Sequence, residues 1–361
     1  MATRQRAFAN KMIDILNGGA LNLAVAIGYR TGLFDTLAVF DSPQPAAVIA
    51  ERAGLSRRYV AEWLAAMATG GILEISRQET GESLYRLLPD QAACLTRSAG
   101  SDNLAVYAQE MPLLTVLAME RVIEGFKSGR GIPYSHYPQF QAFMSELANA
   151  KHEKLLVEAF LPSIEDGALV SRLRQGIRVC DVGCGEGVAL LLMAEAFPAS
   201  RFVGIDNSAE ALKAARSALQ ARGLANLEFM DLDAARIDDT PHLHGRFDYV
   251  TAFDAIHDQR KPLRVLRGIR RLLAGGGIFS MVDIDAHSEP VDNLQHPMGP
   301  FLYTVSLMHC MPVGLQDDGM GLGMMWGREK AQAMLTEAGF ERIRILHMDF
   351  DPFNIHFLCY G

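Results

Sequence analysis

The 361-residue chain is poor in cysteine, and none of its five, Cys94, Cys180, Cys184, Cys310 and Cys359, belongs to a C-x-x-C pair. That absence argues against a zinc ribbon and against a disulfide framework. Cys180 and Cys184 read instead as packing in a strand and a turn. No apolar run reads as long enough for a membrane span, and the start, MATRQRAFANK, has no apolar signal core. The expectation is a cytoplasmic protein with no membrane partner. An excess of basic residues is missing too: 34 Lys and Arg stand against 42 Asp and Glu, a net charge of −8. Phosphate contacts favour a basic surface, so nucleic acid is disfavoured as the main partner. With 49% hydrophobic residues, the chain has ample material for a core and exceeds one typical domain.

What is present centres on residues 177–187, IRVCDVGCGEG. Ile177, Val179 and Val182 supply the β-branched bulk of a buried strand, and Asp181 sits near its end. Gly183, Gly185 and Gly187 then alternate ahead of an apolar helix. Glycine tolerates positive φ, and without a Cβ it lets a ligand lie against the backbone. The spacing is G-x-G-x-G, not the G-x-G-x-x-G of dinucleotide sites, so a pyrophosphate is not the first inference. A second strand, Arg201–Asp206, ends in a carboxylate at the offset where Rossmann-type sheets bind ribose hydroxyls. A third runs through residues 227–230 into Asp231, Leu232, Asp233 and Ala234. A fourth, Phe247–Phe253, runs into Asp254, Ala255, Ile256, His257 and Asp258. Alanine-rich residues 209–221 and residues 262–273, with Leu263, Leu266, Ile269 and Leu272 at helical spacing, read as the intervening helices.

These motifs, DVGCGEG at 181–187, Asp206, FMDLDA at 229–234 and FDYV at 247–250, closely resemble the class I S-adenosylmethionine-dependent methyltransferases. The resemblance covers about the last two hundred residues. It implies an α/β fold, a Rossmann-like seven-stranded sheet ending in an antiparallel hairpin, which residues 343–348 and 355–360 would supply. It also implies that Asp181, Gly183, Gly185 and Gly187 hold the methionine end of S-adenosyl-L-methionine. Asp206, with Asn207 beside it, would take the ribose, and Asp233 with the Ala234 backbone the adenine edge. Phe253 and Asp254 would complete the cofactor set.

Towards the N-terminus, residues 8–28 form an apolar, alanine-rich helix that needs a surface to bury against, either within the chain or on a second copy. Two helices follow, over residues 46–53 and 57–69, joined by Gly54, Leu55 and Ser56, with Ser56 as N-cap. Residues 72–76 and 84–88 read as a hairpin, so the outline is a mainly α winged helix. Its arginines, Arg57, Arg58, Arg77 and Arg86, are interleaved with Glu51, Glu62, Glu74, Glu79 and Glu82. A DNA reader presents a face of one sign, so a dimerisation module is the preferred reading. This order of domains resembles the plant-type O-methyltransferases and their bacterial two-domain relatives. The expected division is a winged-helix domain over 1–97, a helical linker contributing to the substrate pocket over 98–167, and a cofactor domain over 168–361.

Residues 104–125 read as a helix broken by Pro112. Residues 129–138 are a loop bearing Tyr134, His136 and Tyr137, with Phe140 and Phe143 beyond it. Residues 285–327 are a long insert before the last helix, too apolar to be disordered, and read as a substrate lid. Tyr134, Tyr137, Tyr303, His309 and Trp326 are the candidate substrate contacts.

Methyl transfer from a sulfonium is an in-line displacement that needs an aligned nucleophile and a proton acceptor. His257 follows the fourth strand, whose C-terminal end faces the ligand crevice in sheets of this kind. The run Ile256, His257, Asp258 resembles the LHDW segment in which the histidine of plant-type O-methyltransferases is the base. Gln259 replaces the tryptophan, and no accessory acid is legible. His309 is the second candidate. His309 and Cys310 alone are too little for a metal site. Three functions stay open: methyl transfer to a small molecule, a winged-helix regulator that senses S-adenosylmethionine or another small ligand, and a nicotinamide oxidoreductase, which the glycine spacing disfavours.

Overall fold

The computed structural model describes residues 2–79, 81–137 and 140–361. The side chain of Phe140 lies outside the described residues. The chain divides into two compact units, residues 1–113 and 114–361.

The first unit begins with helix Ala2–Thr31, longer at both ends than residues 8–28. Phe8, Met12, Ile13, Leu16, Leu23 and Ile27 are exposed along it. By length and composition its residues Thr3–Thr31 could cross a bilayer, which corrects the expectation that no segment is apolar enough. Short alanine and glycine residues had disguised this run. Strands β1 (Gln44–Pro45), β2 (Glu74–Arg77) and β3 (Ser83–Arg86) make a three-stranded sheet in the order β1-β3-β2. The two-residue β1 has no sequence signature. Helices Ala46–Ala53 and Arg57–Thr69 are separated by Gly54 at φ 65°. Phe34, Ile49, Trp63, Leu64 and Met67 form the core. Trp63 also donates to the Ala24 carbonyl at 2.8 Å, fixing the long helix on it. Arg58 pairs with Glu62 one helical turn away, so the charge cancellation expected in the second helix is realised there.

Helix Glu110–Ser128 starts where a break was expected. Pro112 lies in its first turn, where the missing N–H has no intrahelical partner to lose.

The second unit is built on strands β4 (Arg178–Val182), β5 (Arg201–Asp206), β6 (Leu227–Asp231), β7 (Phe247–Phe253), β8 (Leu273–Ile284), β9 (Arg342–His347) and β10 (Asn354–Tyr360). They form a seven-stranded sheet in the order β6-β5-β4-β7-β8-β10-β9. The first five are parallel, and β10 runs antiparallel between β8 and β9. Only six residues separate β9 from β10, which suffices for an antiparallel return and not for a crossover. Both faces are covered, so the central strands read as near-continuous apolar runs. On one face helix Pro262–Leu272 buries Val265, Leu266, Ile269 and Leu272, and on the other helix Val188–Ala196 buries Leu190, Leu191 and Met193. Each such side chain stabilises the fold by roughly 1.5–3 kcal/mol.

The direction of the chain reverses across the sheet at β4, from which β5 and β6 lie on one side and β7 and β8 on the other. Ligands of open α/β sheets bind at the carboxyl ends of the strands at such a switch point. The pairing Asp206↔Asp231 and Val182↔Ile205 brings the expected acids to that one edge.

The 285–327 insert carries helix Gly299–Val305, a π-helical turn Ser306–Cys310 and helix Met311–Gly314 at its centre. Its glycines serve close backbone approach. A Cβ on Gly319 would stand 2.1 Å from the Gly314 carbonyl oxygen, and Met320 N–H donates to the Arg260 carbonyl at 3.0 Å. The insert is thereby seated on the segment that follows β7.

Candidate active site

The glycine turn does three separate things. Gly183 and Gly187, at φ 77° and 72°, would each collide if given a Cβ, with Ala255 at 2.6 Å and the Phe229 ring at 2.4 Å. Gly185, at φ 54°, has nothing within 4 Å of a Cβ position, so its backbone is open to a ligand. The turn is anchored from the next strand, where Asp206 Oδ2 accepts the Gly185 N–H and its Oδ1 the Ser208 N–H, both at 2.8 Å. Two accepted bonds leave lone pairs on each oxygen for further donors. Asn207 lies between Asp206 and Ser208, immediately after β5.

Asp181 is buried and accepts the Thr251 hydroxyl at 2.7 Å. Burial raises its pKa to about 7, against the lowering effect of the Thr251 bond and with a further push from Asp206. Asp233 caps the turn that begins at Ala234 through the Ala235 N–H at 2.9 Å, and the Arg260 guanidinium stands 3.5 Å from its other oxygen. Asp254 adopts φ 48° and accepts a bond from Asn354 Nδ2 at 2.7 Å. Burial raises its pKa to about 6, opposed by Lys151. Lys151 bonds Asn354 at 3.0 Å and pairs with Asp351, linking the strap before β10 to the end of β7. Phe253 packs edge-on against His152 and Phe160.

Next along the same edge, His257 is buried with Nδ1 2.7 Å from Asp283 Oδ1. Asp283 is the acidic partner that sequence reasoning missed. It lies near the end of β8, and the Phe253↔Val282 pairing sets it beside the end of β7. A carboxylate within the apolar run FSMVDI was its available signal. Asp258, the next residue along the chain, sits on the other side of the ring, 3.5 Å from Nε2. Burial opposes charge on His257, yet Asp283 and Asp258 outweigh it and hold its pKa well above the usual histidine value.

His309 lies between Tyr134 and Tyr137, with ring centroids 5.5 and 4.6 Å away. Burial lowers its pKa to about 4, so it is neutral near pH 7. Tyr137 donates to the Met308 carbonyl at 2.8 Å, and Ile132 N–H to the Pro312 carbonyl at 2.9 Å, which seats the 129–137 loop on the insert. Tyr134 is partly exposed beside these groups. Tyr303 belongs to a separate small cluster with Leu302 and Met325, its hydroxyl bonded by Asn293 at 3.1 Å. Trp326 is buried in the main core with Ile256 and Leu335, not in the ring cluster of Tyr134, Tyr137 and His309.

The residues therefore fit an adenosyl sulfonium: an open glycine backbone, acids at three successive strand ends and a buried polar pair beyond them. Residues 173–339 match the family model described as a methyltransferase domain, and residues 19–97 match an Rv2258c-like winged HTH domain. A mitochondrial ubiquinone biosynthesis O-methyltransferase of Candida albicans is 36% identical over 104 residues, covering 28% of this chain and 31% of that protein. A demethylmenaquinone methyltransferase of Listeria monocytogenes is 30% identical over 120 residues, covering 33% of this chain and 49% of that protein. The chain thus spans half or less of the length of these curated relatives. Among solved structures, human N-acetylserotonin methyltransferase in complex with S-adenosylmethionine superposes with TM-score 0.68 at 15% identity, over 98% of this chain and 97% of that one. The mitomycin 7-O-methyltransferase MmcR superposes with TM-score 0.64 at 19% identity, over 99% and 100% of the two chains. The shared fold is that of two-domain methyltransferases.

Proposed function

Because the chain joins a winged helix-turn-helix domain to a methyltransferase domain, we propose that it transfers a methyl group from S-adenosyl-L-methionine to the oxygen of a small hydroxylated molecule. The observation that carries this reading is the meeting of Asp181, Gly185, Asp206 and Asp233 along one sheet edge, beside the His257 and Asp283 pair. The donor supplies an activated methyl, so the protein's tasks are to bind, align and remove a proton. Asp206 takes the ribose hydroxyls, Asp233 and the Ala234 backbone take the adenine edge, and Asp181 faces the positively charged methionine end. His257, oriented by Asp283, takes the acceptor's proton through Nε2. A cation bound at the neighbouring edge opposes the imidazolium, so His257 is shifted towards the neutral form when that edge is filled. Tyr134, Tyr137 and neutral His309 offer aromatic walls to a planar acceptor.

The test is incubation with methyl-labelled donor and a panel of phenols and hydroxylated heteroaromatics. Labelled ether product in the mass spectrum is expected. Bound donor with no label on any oxygen acceptor would refute oxygen transfer.

Donor affinity should depend on pH through Asp181. Its folded pKa lies above the unfolded value, so the stability due to its proton is full below about pH 4 and lost as pH rises through about 7. A cationic ligand reverses this, since it needs the carboxylate. Binding should tighten about 10-fold between pH 6 and pH 8, as expected for one group ionising midway. Asp181→Asn should flatten the profile, and an equally steep profile in that variant would assign the dependence elsewhere.

The exposed apolar side of helix Ala2–Thr31 is read as the contact between two copies, making a homodimer. Sedimentation equilibrium should give twice the chain mass. Leu16→Glu should shift it to the monomer, and unchanged mass would refute this interface.

A further inference from the structure

Cys310 plays no part in the methyl-transfer reading, yet its thiol is buried beside the proposed base. His257 Nε2 stands 3.5 Å from Asp258 Oδ1, and a donor atom from each of His257, Asp258 and Cys310 lies within 4.8 Å of the others. Ligand atoms around a tetrahedral zinc ion, with bonds of about 2.0–2.3 Å, stand roughly 3.4 Å apart. The far side of the imidazole is already fixed: Nδ1 is tied to Asp283 Oδ1 at 2.7 Å, the carboxylate–histidine arrangement that aims Nε2 at a metal. Asp258 Oδ1 is buried and has no hydrogen-bond partner among the described residues. Sequence spacing hid the set, because Cys310 reaches it only through the π-helical turn Ser306–Cys310.

We infer that His257, Asp258 and Cys310 form a site for a divalent cation of the zinc type, and that the bound ion inhibits by occupying the Nε2 lone pair needed for proton transfer. Thiolate and imidazole select such an ion over magnesium or calcium. The Asp258 carboxylate and Cys310 thiolate offset its two charges, and three protein ligands leave a fourth position for water. Binding releases the thiol proton and any proton on Nε2. The inhibitory part rests on the role proposed for His257; the cation site does not.

The experiment is titration of chelator-treated full-length protein with Co²⁺, in a Cys94→Ser background that removes the exposed thiol. One Co²⁺ per chain is expected, with a thiolate-to-cobalt charge-transfer band that Zn²⁺ abolishes and Mg²⁺ does not. Cys310→Ser should remove the band, and Asp258→Asn should weaken binding at least about 10-fold while keeping it. Near-ultraviolet circular dichroism confirms that each variant is folded. No band in the Cys94→Ser protein, or an equal band in folded Cys310→Ser, overturns the site. Neither readout uses donor or acceptor, so failure of methyl transfer leaves it standing. Zinc sensitivity of turnover then tests the inhibitory part: half-inhibition should need at least about 10-fold more Zn²⁺ in Cys310→Ser, relative to that variant's own zinc-free rate. Equal sensitivity overturns inhibition through this site.

Discussion

Asp206→Ala is expected to weaken S-adenosylhomocysteine binding about 100-fold in calorimetry. The carboxylate ends β5 at the edge where the chain order reverses, and it has two jobs. It accepts the Gly185 N–H at 2.8 Å, holding the open glycine against the next strand. In the proposed complex it would also accept the ribose hydroxyls. Hydrogen bonds to a charged group contribute roughly 1.5–3 kcal/mol each, so losing them corresponds to about two powers of ten. Asp206→Asn keeps one acceptor oxygen and should lose less. Because Gly185 has open space around it, the fold itself should survive, and the thermal midpoint should move by only about 2–4 °C per kcal/mol lost from the turn. A carboxylate that merely stabilised the turn would give the opposite pattern, a large loss of stability with donor affinity retained.

His257→Ala should lower turnover by a factor of about 10² to 10⁴, the usual effect of removing a general base, with donor affinity changed by less than about 3-fold. The separation of the two effects is the diagnostic part. Asp283 and Asp258 would be left without their cation, so some loss of stability is expected as well. Turnover is therefore to be compared on folded protein at saturating donor. Asp283→Asn should also reduce turnover, since the ring loses the group that fixes its tautomer and orientation. Normal turnover in His257→Ala would assign proton removal to another group or to solvent.

The acidic edge was legible in the sequence because it is a linear property. Each strand carries its acid at its own end, and five parallel strands in register deliver those ends to one side. The glycine turn was legible for the same reason: Gly183, Gly185 and Gly187 lie within one tight bend, where positive φ is required. The cluster proposed to handle the proton was only half legible. His257 follows its strand directly, but Asp283 reaches it across a strand pairing that no local pattern reveals. Cys310 arrives from the insert, whose path is set by glycine contacts with the 257–260 segment. Trp326 was read as a pocket wall because it is an aromatic residue late in a loop, whereas its side chain packs in the core. Pro112 was read as a break, although in a first helical turn the loss of its N–H has no intrahelical bond to break.

The central claim is that one edge of the second unit clasps an adenosyl sulfonium, and calorimetric titration of the wild-type chain with S-adenosylhomocysteine tests it most directly. One site per chain with submillimolar affinity, and no comparable heat with NADH, is the predicted result. No S-adenosylhomocysteine binding below the millimolar range, or tighter binding of NADH, would contradict it.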